Sequence, residues 1–150
     1  MVTIALAAIL IAVAAPSLQN LLQNNRAAAI ANDLITSLRF ARSEAVTRAQ
    51  NVTLCPSTDG TNCVNTDNWT GGWIVRDAAG TALRRYPAIT QTASGSSLMG
   101  TRSTLVFASN GFQTSTDFDF NLVIPNCKRD NNRRVAVNPQ GRPEVIKVQC

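Results

Sequence analysis

Residues 1–50 read MVTIALAAILIAVAAPSLQNLLQNNRAAAIANDLITSLRFARSEAVTRAQ, and this stretch decides the fold. Residues 1–15 are apolar apart from Thr3, and the first charged side chain is Arg26. A run so rich in Ala, Leu and Ile favours a helix buried in lipid or among like helices. We therefore expect residues 1–24 to be the membrane or fibre-core half of one long N-terminal helix. The side chains assigned to that role are Ile4, Leu6, Ile9, Leu10, Ile11, Val13 and Pro16.

The apolar run is short for a membrane span. At a rise of about 1.5 Å per residue, residues 1–15 form a helix roughly 22 Å long, against a hydrocarbon core of ~30 Å. A secretory signal would carry positive residues before the run, and none precedes it. We expect Met1 to be an internal methionine, with the apolar segment beginning upstream of it.

Pro16 lies where the apolar run gives way to polar residues. Proline lacks an N–H group and clashes with the carbonyl of the residue four positions earlier, here Ala12. The sequence therefore predicts a kink or a local loss of helix at Pro16. The alternative is that the helix starts at position 17 and that a frayed tail precedes it.

Beyond Pro16 the apolar residues fall on one helical face, which predicts an amphipathic helix packed on a globular domain of residues 25–150. Glu44 and Arg48 form a favourable i,i+4 pair on this helix. The predicted buried face consists of Ala27, Ile30, Ala31, Leu34, Leu38, Ala41 and Ala45.

The rest of the chain is rich in Thr, Val, Ser and Asn and reads as short strands joined by polar turns. Asn110-Gly111 predicts a tight turn after the strand at 104–108, with a returning strand at 118–123. Residues 91–102 are polar and contain Gly, so we predict a loop there. One long helix followed by six or seven strands predicts an α+β domain whose sheets pack on the second half of the helix. Other strands are predicted at 51–55, 73–75, 83–89, 133–137 and 144–148, with turns at 77–80 and 138–141.

The chain has four cysteines, Cys55, Cys63, Cys127 and Cys150. After a membrane-like opening, they favour an oxidising compartment and two disulfides, for which three pairings are possible. We predict the local pairs, Cys55 with Cys63 and Cys127 with Cys150, because the first staples a loop and the second closes the chain end onto the sheet. Zinc is the alternative for four cysteines, but the chain has no His and no C-x-x-C spacing, so we predict no metal site.

No residue set in the sequence is typical of an enzyme. There is no His to act as a base, and disulfide-bonded cysteines are not available as thiolates. Asp117 and Asp119 alternate in a predicted strand and suggest either a cation site or a glycosidase-like pair, but a solvated strand face explains them better. We predict no catalytic residue and no cofactor.

The net charge of +5 permits a polyanionic partner without requiring one. From Cys127 to Cys150 there are six cationic and two anionic side chains, so four of the five net charges lie in the last sixth of the chain. We identify these cations as a candidate site for weak binding of a polyanion such as DNA, with a solvated basic face as the alternative because Glu144 lies two residues from Arg142: Arg142, Lys147, Lys128, Arg129, Arg133 and Arg134.

Several motifs together resemble the FimT/FimU minor pilins of type IV pili and the related GspH pseudopilins of type II secretion. They are the apolar opening broken by Pro16, the helix end Ala41-Arg42-Ser43-Glu44-Ala45, the strand NVTLC at 51–55 and GGWIV at 71–75. The resemblance implies a long hydrophobic helix packed on an antiparallel β-sandwich. It also implies a structural subunit for pilus assembly or initiation, with other pilins as partners. Such a subunit resides in the inner membrane with a periplasmic domain and later in the extracellular pilus.

Two departures from the family pattern bear on function. The precursors of such pilins carry a charged leader, a Gly-Phe cleavage junction and a nearby glutamate, none of which precedes Met1, so leader cleavage and N-methylation do not apply to the chain as written. Some members bind DNA during natural transformation through a Gly-Arg-x-Arg motif. Here the matching residues are Gly141-Arg142-Pro143-Glu144, with a carboxylate in place of the second arginine.

Overall fold

The computed structural model describes residues 2–127 and 130–150, with side chains described from Leu18 onward. Helix α1 spans Val2–Arg48 without interruption, so the predicted loss of helix at Pro16 and the alternative start at position 17 are both wrong. In the described part of the chain, no helix is both long and apolar enough to cross a membrane. Outside the described side chains lie Ile4, Leu6, Ile9, Leu10, Ile11, Val13 and Pro16.

The buried face of α1 is the predicted one. Each of its seven residues is at most 2% exposed, from Ala27 to Ala45. Leu34 and Leu38 each contribute roughly 1.5–3 kcal/mol through burial of their side chains, and the alanines let the sheets approach the helix backbone closely. The predicted ion pair on the helix also forms, with 2.6 Å between Arg48 Nε and Glu44 Oε2.

Eight strands form two antiparallel sheets of four, one more strand than the upper prediction. The first sheet has the order β3-β2-β1-β5 and the second β4-β6-β7-β8. Both sheets and α1 contribute to a single hydrophobic core, which confirms the α+β prediction. The strands are β1 Val52–Pro56, β2 Trp73–Arg76, β3 Ala82–Tyr86, β4 Ser97–Gly100, β5 Leu105–Phe107, β6 Phe118–Val123, β7 Asn132–Val137 and β8 Pro143–Val148; a short 3-10 helix spans Ile89–Gln91.

Strand β4 lies inside the stretch predicted to be a loop. Its Leu98 is fully buried, and the Leu98 N–H donates to Thr70 Oγ1 at 2.9 Å while its carbonyl accepts from Trp69 N at 2.8 Å. These partners lie about 28 residues away in the sequence. Local composition could not reveal them, and for that reason the loop prediction was wrong.

The predicted return from β5 to β6 is also wrong, although the turn itself is present. Gly111 N donates to Ala108 O at 2.8 Å and closes that turn. However, β5 pairs with β1 in the first sheet, whereas β6 pairs with β4 and β7 in the second. The chain therefore passes from one sheet to the other here instead of forming a hairpin.

Two turns meet against the C-terminal end of α1. Arg42 Nε donates to Gly111 O at 3.0 Å, and a Cβ on Gly141 would lie only 2.6 Å from that same carbonyl oxygen. The Gln113 side chain joins them, since its Nε2 donates to Val137 O at 2.8 Å. The helix end, the loop after β5 and the turn between β7 and β8 are therefore packed as one unit.

Both disulfides join the predicted partners, Cys55 with Cys63 and Cys127 with Cys150. The first closes a loop in which the Asp59 carboxylate accepts from Asn62 N, Asn62 Nδ2 and Thr61 N at 2.8 Å each. These hydrogen bonds hold the pKa of Asp59 well below its ordinary value.

A single methyl group tests the packing of the two turns. Gly141→Ala places Cβ against Gly111 O and a Phe107 ring carbon at a φ of +73°. Gly80→Ala is the matched control, because its φ is +90° and no atom lies within 4 Å of the added Cβ. Both substitutions incur the left-handed backbone cost of roughly 1–2 kcal/mol. We expect Gly141→Ala to lower the free energy of unfolding in urea by about 1–3 kcal/mol more, and equal losses would contradict the packing.

The second disulfide fixes the chain end. Replacing Cys127 and Cys150 by Ser should lower the free energy of unfolding by about 3 kcal/mol, because the bond closes a loop between residues 23 apart. Without it the end of β8 should fray, so amide exchange should accelerate at Ile146 and Val148. The double Ser variant of Cys55 and Cys63 should leave β8 exchange unchanged. Faster β8 exchange in that control, or a non-native peptide in unreduced mapping, would refute the assignment.

Candidate functional surfaces

Three leucines on α1 are exposed just before the helix meets the domain. Leu18, Leu21 and Leu22 are 59%, 55% and 48% exposed, and their i, i+3, i+4 spacing places them on one face. Among the described side chains of the helix, from Leu18 onward, the first fully buried one is Ala27. Clustered exposed leucines are typical of a surface that a partner or a lipid covers.

A buried arginine ties the helix to the domain at this junction. The guanidinium of Arg133 donates to Asn24 Oδ1 on α1 and to Asp130 O at 2.6 Å and Asn132 O at 2.9 Å. Arg133 is 4% exposed. Burial lowers its pKa from the ordinary value, and the Asp130 carboxylate partly opposes this; as an arginine it remains cationic.

This position removes Arg133 from the candidate DNA site. Along β7 the side chains of Arg133, Val135 and Val137 are all buried, whereas Arg134 is exposed. Neighbouring residues in a strand point to opposite faces, so the two adjacent arginines cannot both reach solvent on one face. The charge count alone carried no signal of this difference.

Arg134 is exposed, but a carboxylate neutralises it. Its Nη2 lies 2.7 Å from Asp119 Oδ2, and this hydrogen-bonded ion pair raises the pKa of Arg134. Cross-strand register aligns Asp119, Ala136 and Glu144 on the same face. Arg134 therefore lies among carboxylates, and Asp119 serves an ion pair, not an acid pair with Asp117.

Lys147 lies on the other face of the hairpin. It is opposite Arg133 in register, while Ile146 is opposite Arg134. The structure therefore does not bring Lys147 and Arg134 together on one face. Lys128 and Arg129 lie outside the described residues.

Arg142 occupies a different environment, at the exposed turn between β7 and β8. Its backbone N–H donates to Asn138 Oδ1 at 2.9 Å, which fixes the turn. The adjacent Gly141 packs on Gly111, whose carbonyl accepts from Arg42. The fold thus packs the turn that carries Arg142 on the same peptide that binds Arg42 of α1, an arrangement that sequence reasoning missed.

In the part of the chain that the structure describes, no group of side chains is arranged for metal binding or thiol chemistry. There, no three Cys, Asp or Glu residues are placed to hold a metal ion. All four cysteines are in disulfides. The features with functional potential are therefore surfaces: the exposed leucines of α1, the junction beside them and the turn carrying Arg142.

Comparison with known proteins agrees with this fold. Residues 31–141 match the protein family described as Type II transport protein GspH. The crystal structure of the type IV minor pilin FimU from Pseudomonas aeruginosa PAO1 is similar, with 23% identity, a TM-score of 0.66, and coverage of 81% of this chain and 89% of that one. The minor pseudopilin EpsH from the type 2 secretion system of Vibrio cholerae is 15% identical, with a TM-score of 0.58 and coverage of 81% and 97%. No curated protein sequence matches this chain.

Proposed function

The chain belongs to the GspH family of type II transport proteins, and on this premise we propose that it is a minor pilin, a structural subunit that takes part in the assembly or initiation of a type IV pilus. The observation that carries the proposal is the division of α1. From Ala27 onward one face of the helix is buried in the domain, whereas Leu18, Leu21 and Leu22 before it are uncovered. A helix of this kind joins a folded domain to an apolar environment that the domain does not supply.

This geometry supports our proposed division of the chain. Residues 1–24 form the membrane or fibre-core half of the helix, and residues 25–150 form the globular domain. Before assembly the first part lies in the inner membrane and the domain in the periplasm, where an oxidising environment maintains both disulfides. After assembly the first part packs against the corresponding helices of other pilins, and the domain lies on the outside of the pilus.

A pseudopilin of a type II secretion system is the alternative within the same structural class. The same helix and domain serve both kinds of fibre, and EpsH, which has a similar fold, is described as a component of such a system. Fractionation separates the two roles: a minor pilin is recovered with pili sheared from the cell surface, and a pseudopilin remains with the cell.

Replacing exposed leucines by charged residues tests the structural role. Leu18→Asp with Leu21→Asp should abolish recovery of the chain in sheared pili, because a carboxylate is costly in lipid or between apolar helices. Val46→Asp is the control, since Val46 is a 53% exposed apolar residue at the other end of the same helix. Immunoblots of the pilus and membrane fractions measure the effect, and equal recovery of both variants would refute the assembly surface.

Weak DNA binding is a second candidate function, supported by the exposed Arg142 on a turn that packs beside Arg42. Cationic side chains at this turn would bind DNA through its phosphates and without base preference. Glu144, two residues from Arg142, opposes it. The dispersal of Arg133, Arg134 and Lys147 limits the site to few contacts, which supports a structural main role.

Two substitutions at this turn test the DNA site. Glu144→Arg should tighten binding, and Arg142→Ala should weaken it, each in mobility shifts at two salt concentrations. Each phosphate neutralised on duplex DNA should contribute about −0.9 to the slope of log affinity against log salt. Arg134→Ala is the control, because that side chain already pairs with Asp119. Tight binding that is insensitive to salt, or no response to either substitution, would exclude this site.

A further inference from the structure

A cleft of about 500 Å³ lies where α1 leaves the domain, between the helix and the loop after β6. Its lining residues are Gln19, Leu22, Gln23, Arg26 and Asn126. Arg26 is the only charged residue among them. It is exposed, and within the described residues it forms no hydrogen bond or ion pair.

The walls of the cleft are held in place by contacts behind it. Gln23 Nε2 donates to Pro125 O at 3.3 Å, which joins the helix to the loop. One residue further along the helix, Asn24 Oδ1 accepts from the buried guanidinium of Arg133. Arg133 in turn donates to Asp130 O, so the same loop is anchored from both ends. The cleft is therefore a preformed feature of the junction.

The polar groups at its rim suit an anion. The Arg26 guanidinium presents five N–H donors in a planar fork that matches phosphate oxygens. The side-chain amides of Gln19 and Asn126, both exposed, add further N–H donors. Among the described residues, no carboxylate lines the cleft to compete for these donors.

The location of the cleft identifies the source of the phosphate. Leu22 lines it and is 48% exposed, continuing the apolar surface that begins at Leu18. Arg26 lies one helical turn beyond Leu22, about 6 Å along the axis. This is close to the thickness of a bilayer headgroup layer, about 5–8 Å on each side of the hydrocarbon core. With the leucines at the edge of the hydrocarbon, Arg26 lies at the depth of lipid phosphates.

We propose that this cleft binds the phosphate of a membrane phospholipid headgroup, with Arg26 as the principal ligand, and that it seats the domain on the bilayer surface before the subunit enters a fibre. The inference rests on the proposed function, because it requires the N-terminal half of α1 to lie in a membrane. Entry into the fibre then exchanges the lipid for neighbouring subunits.

The test compares two lipids on the full chain in dodecyl maltoside micelles, with binding followed by native mass spectrometry. Phosphatidylglycerol carries the phosphate, and digalactosyl diacylglycerol presents similar acyl chains without it. We expect a preference for phosphatidylglycerol of about tenfold or more, as charge-assisted hydrogen bonds to phosphate provide. Arg26→Gln should abolish the preference, whereas Arg39→Gln, an exposed arginine of the same helix outside the cleft, should retain it.

Two further variants remove the amides at the rim without disturbing the fold. Gln19→Ala removes an exposed side-chain amide and should reduce the preference for phosphatidylglycerol. Asn126→Gly removes the other amide and should reduce the preference too; glycine suits this position because Asn126 has a φ of +52°. Equal preference in wild type and Arg26→Gln, no preference in wild type, or displacement of the lipid by equimolar inorganic phosphate would overturn the proposal.

Flotation with phosphatidylglycerol vesicles tests the proposed membrane location separately. A chain that floats but shows no phosphate preference would refute the cleft and leave the pilin assignment in place. A chain that prefers phosphatidylglycerol in micelles but does not float would contradict the membrane location, and with it the proposed seating of the domain on a bilayer.

Discussion

Burial of one face of α1 is the constraint on which the rest of the structure depends. Ala27, Leu34 and Ala45 mark a stripe along the helix that both sheets cover, and the core contains residues from all three layers. Each four-stranded sheet alone has few residues with which to exclude water, and the helix gives them a common surface. The alanines matter as much as the leucines, because small side chains allow the strands to approach the helix axis.

The same helix also organises the surfaces. At its C-terminal end Arg42 binds Gly111 O, and Gly141 packs on the same peptide. Two turns that are remote in sequence are thereby fixed side by side, and Arg142 is fixed with them. Near the other end Arg133 binds Asn24, and the loop after β6 is held against the helix. The cations of the C-terminal segment consequently have different roles: Arg133 is buried and anchors the helix, whereas Arg142 is exposed to solvent.

This division explains why a count of charges overstates the DNA site. Arg133 donates its hydrogen bonds to backbone carbonyl groups and to Asn24 at the junction. It therefore stabilises the fold and is not available to bind a polyanion in solvent. Arg134 is neutralised by Asp119. The structure is therefore better suited to a subunit held by its helix than to a protein that binds DNA tightly, and Arg26, an exposed cation at the junction, is the residue for which we propose contact with a membrane phosphate.

Much of this protein was determined by its sequence alone, because the relevant signals are local. The 3.6-residue period identified the buried face of α1, the turn at 138–141 between two strand-prone runs identified the hairpin of β7 and β8, and the choice of local pairs predicted both disulfides. The tertiary structure decided what depends on distant partners: the pairing of β4 with β6, the separation of β5 and β6 into different sheets, and the burial of Arg133. It also decided that the turn carrying Arg142 packs beside Arg42, because Gly111 contacts both Arg42, 69 residues away in the sequence, and Gly141. No local pattern encodes which strands pair or which turn meets the helix, because those choices are made by the packing of the whole domain.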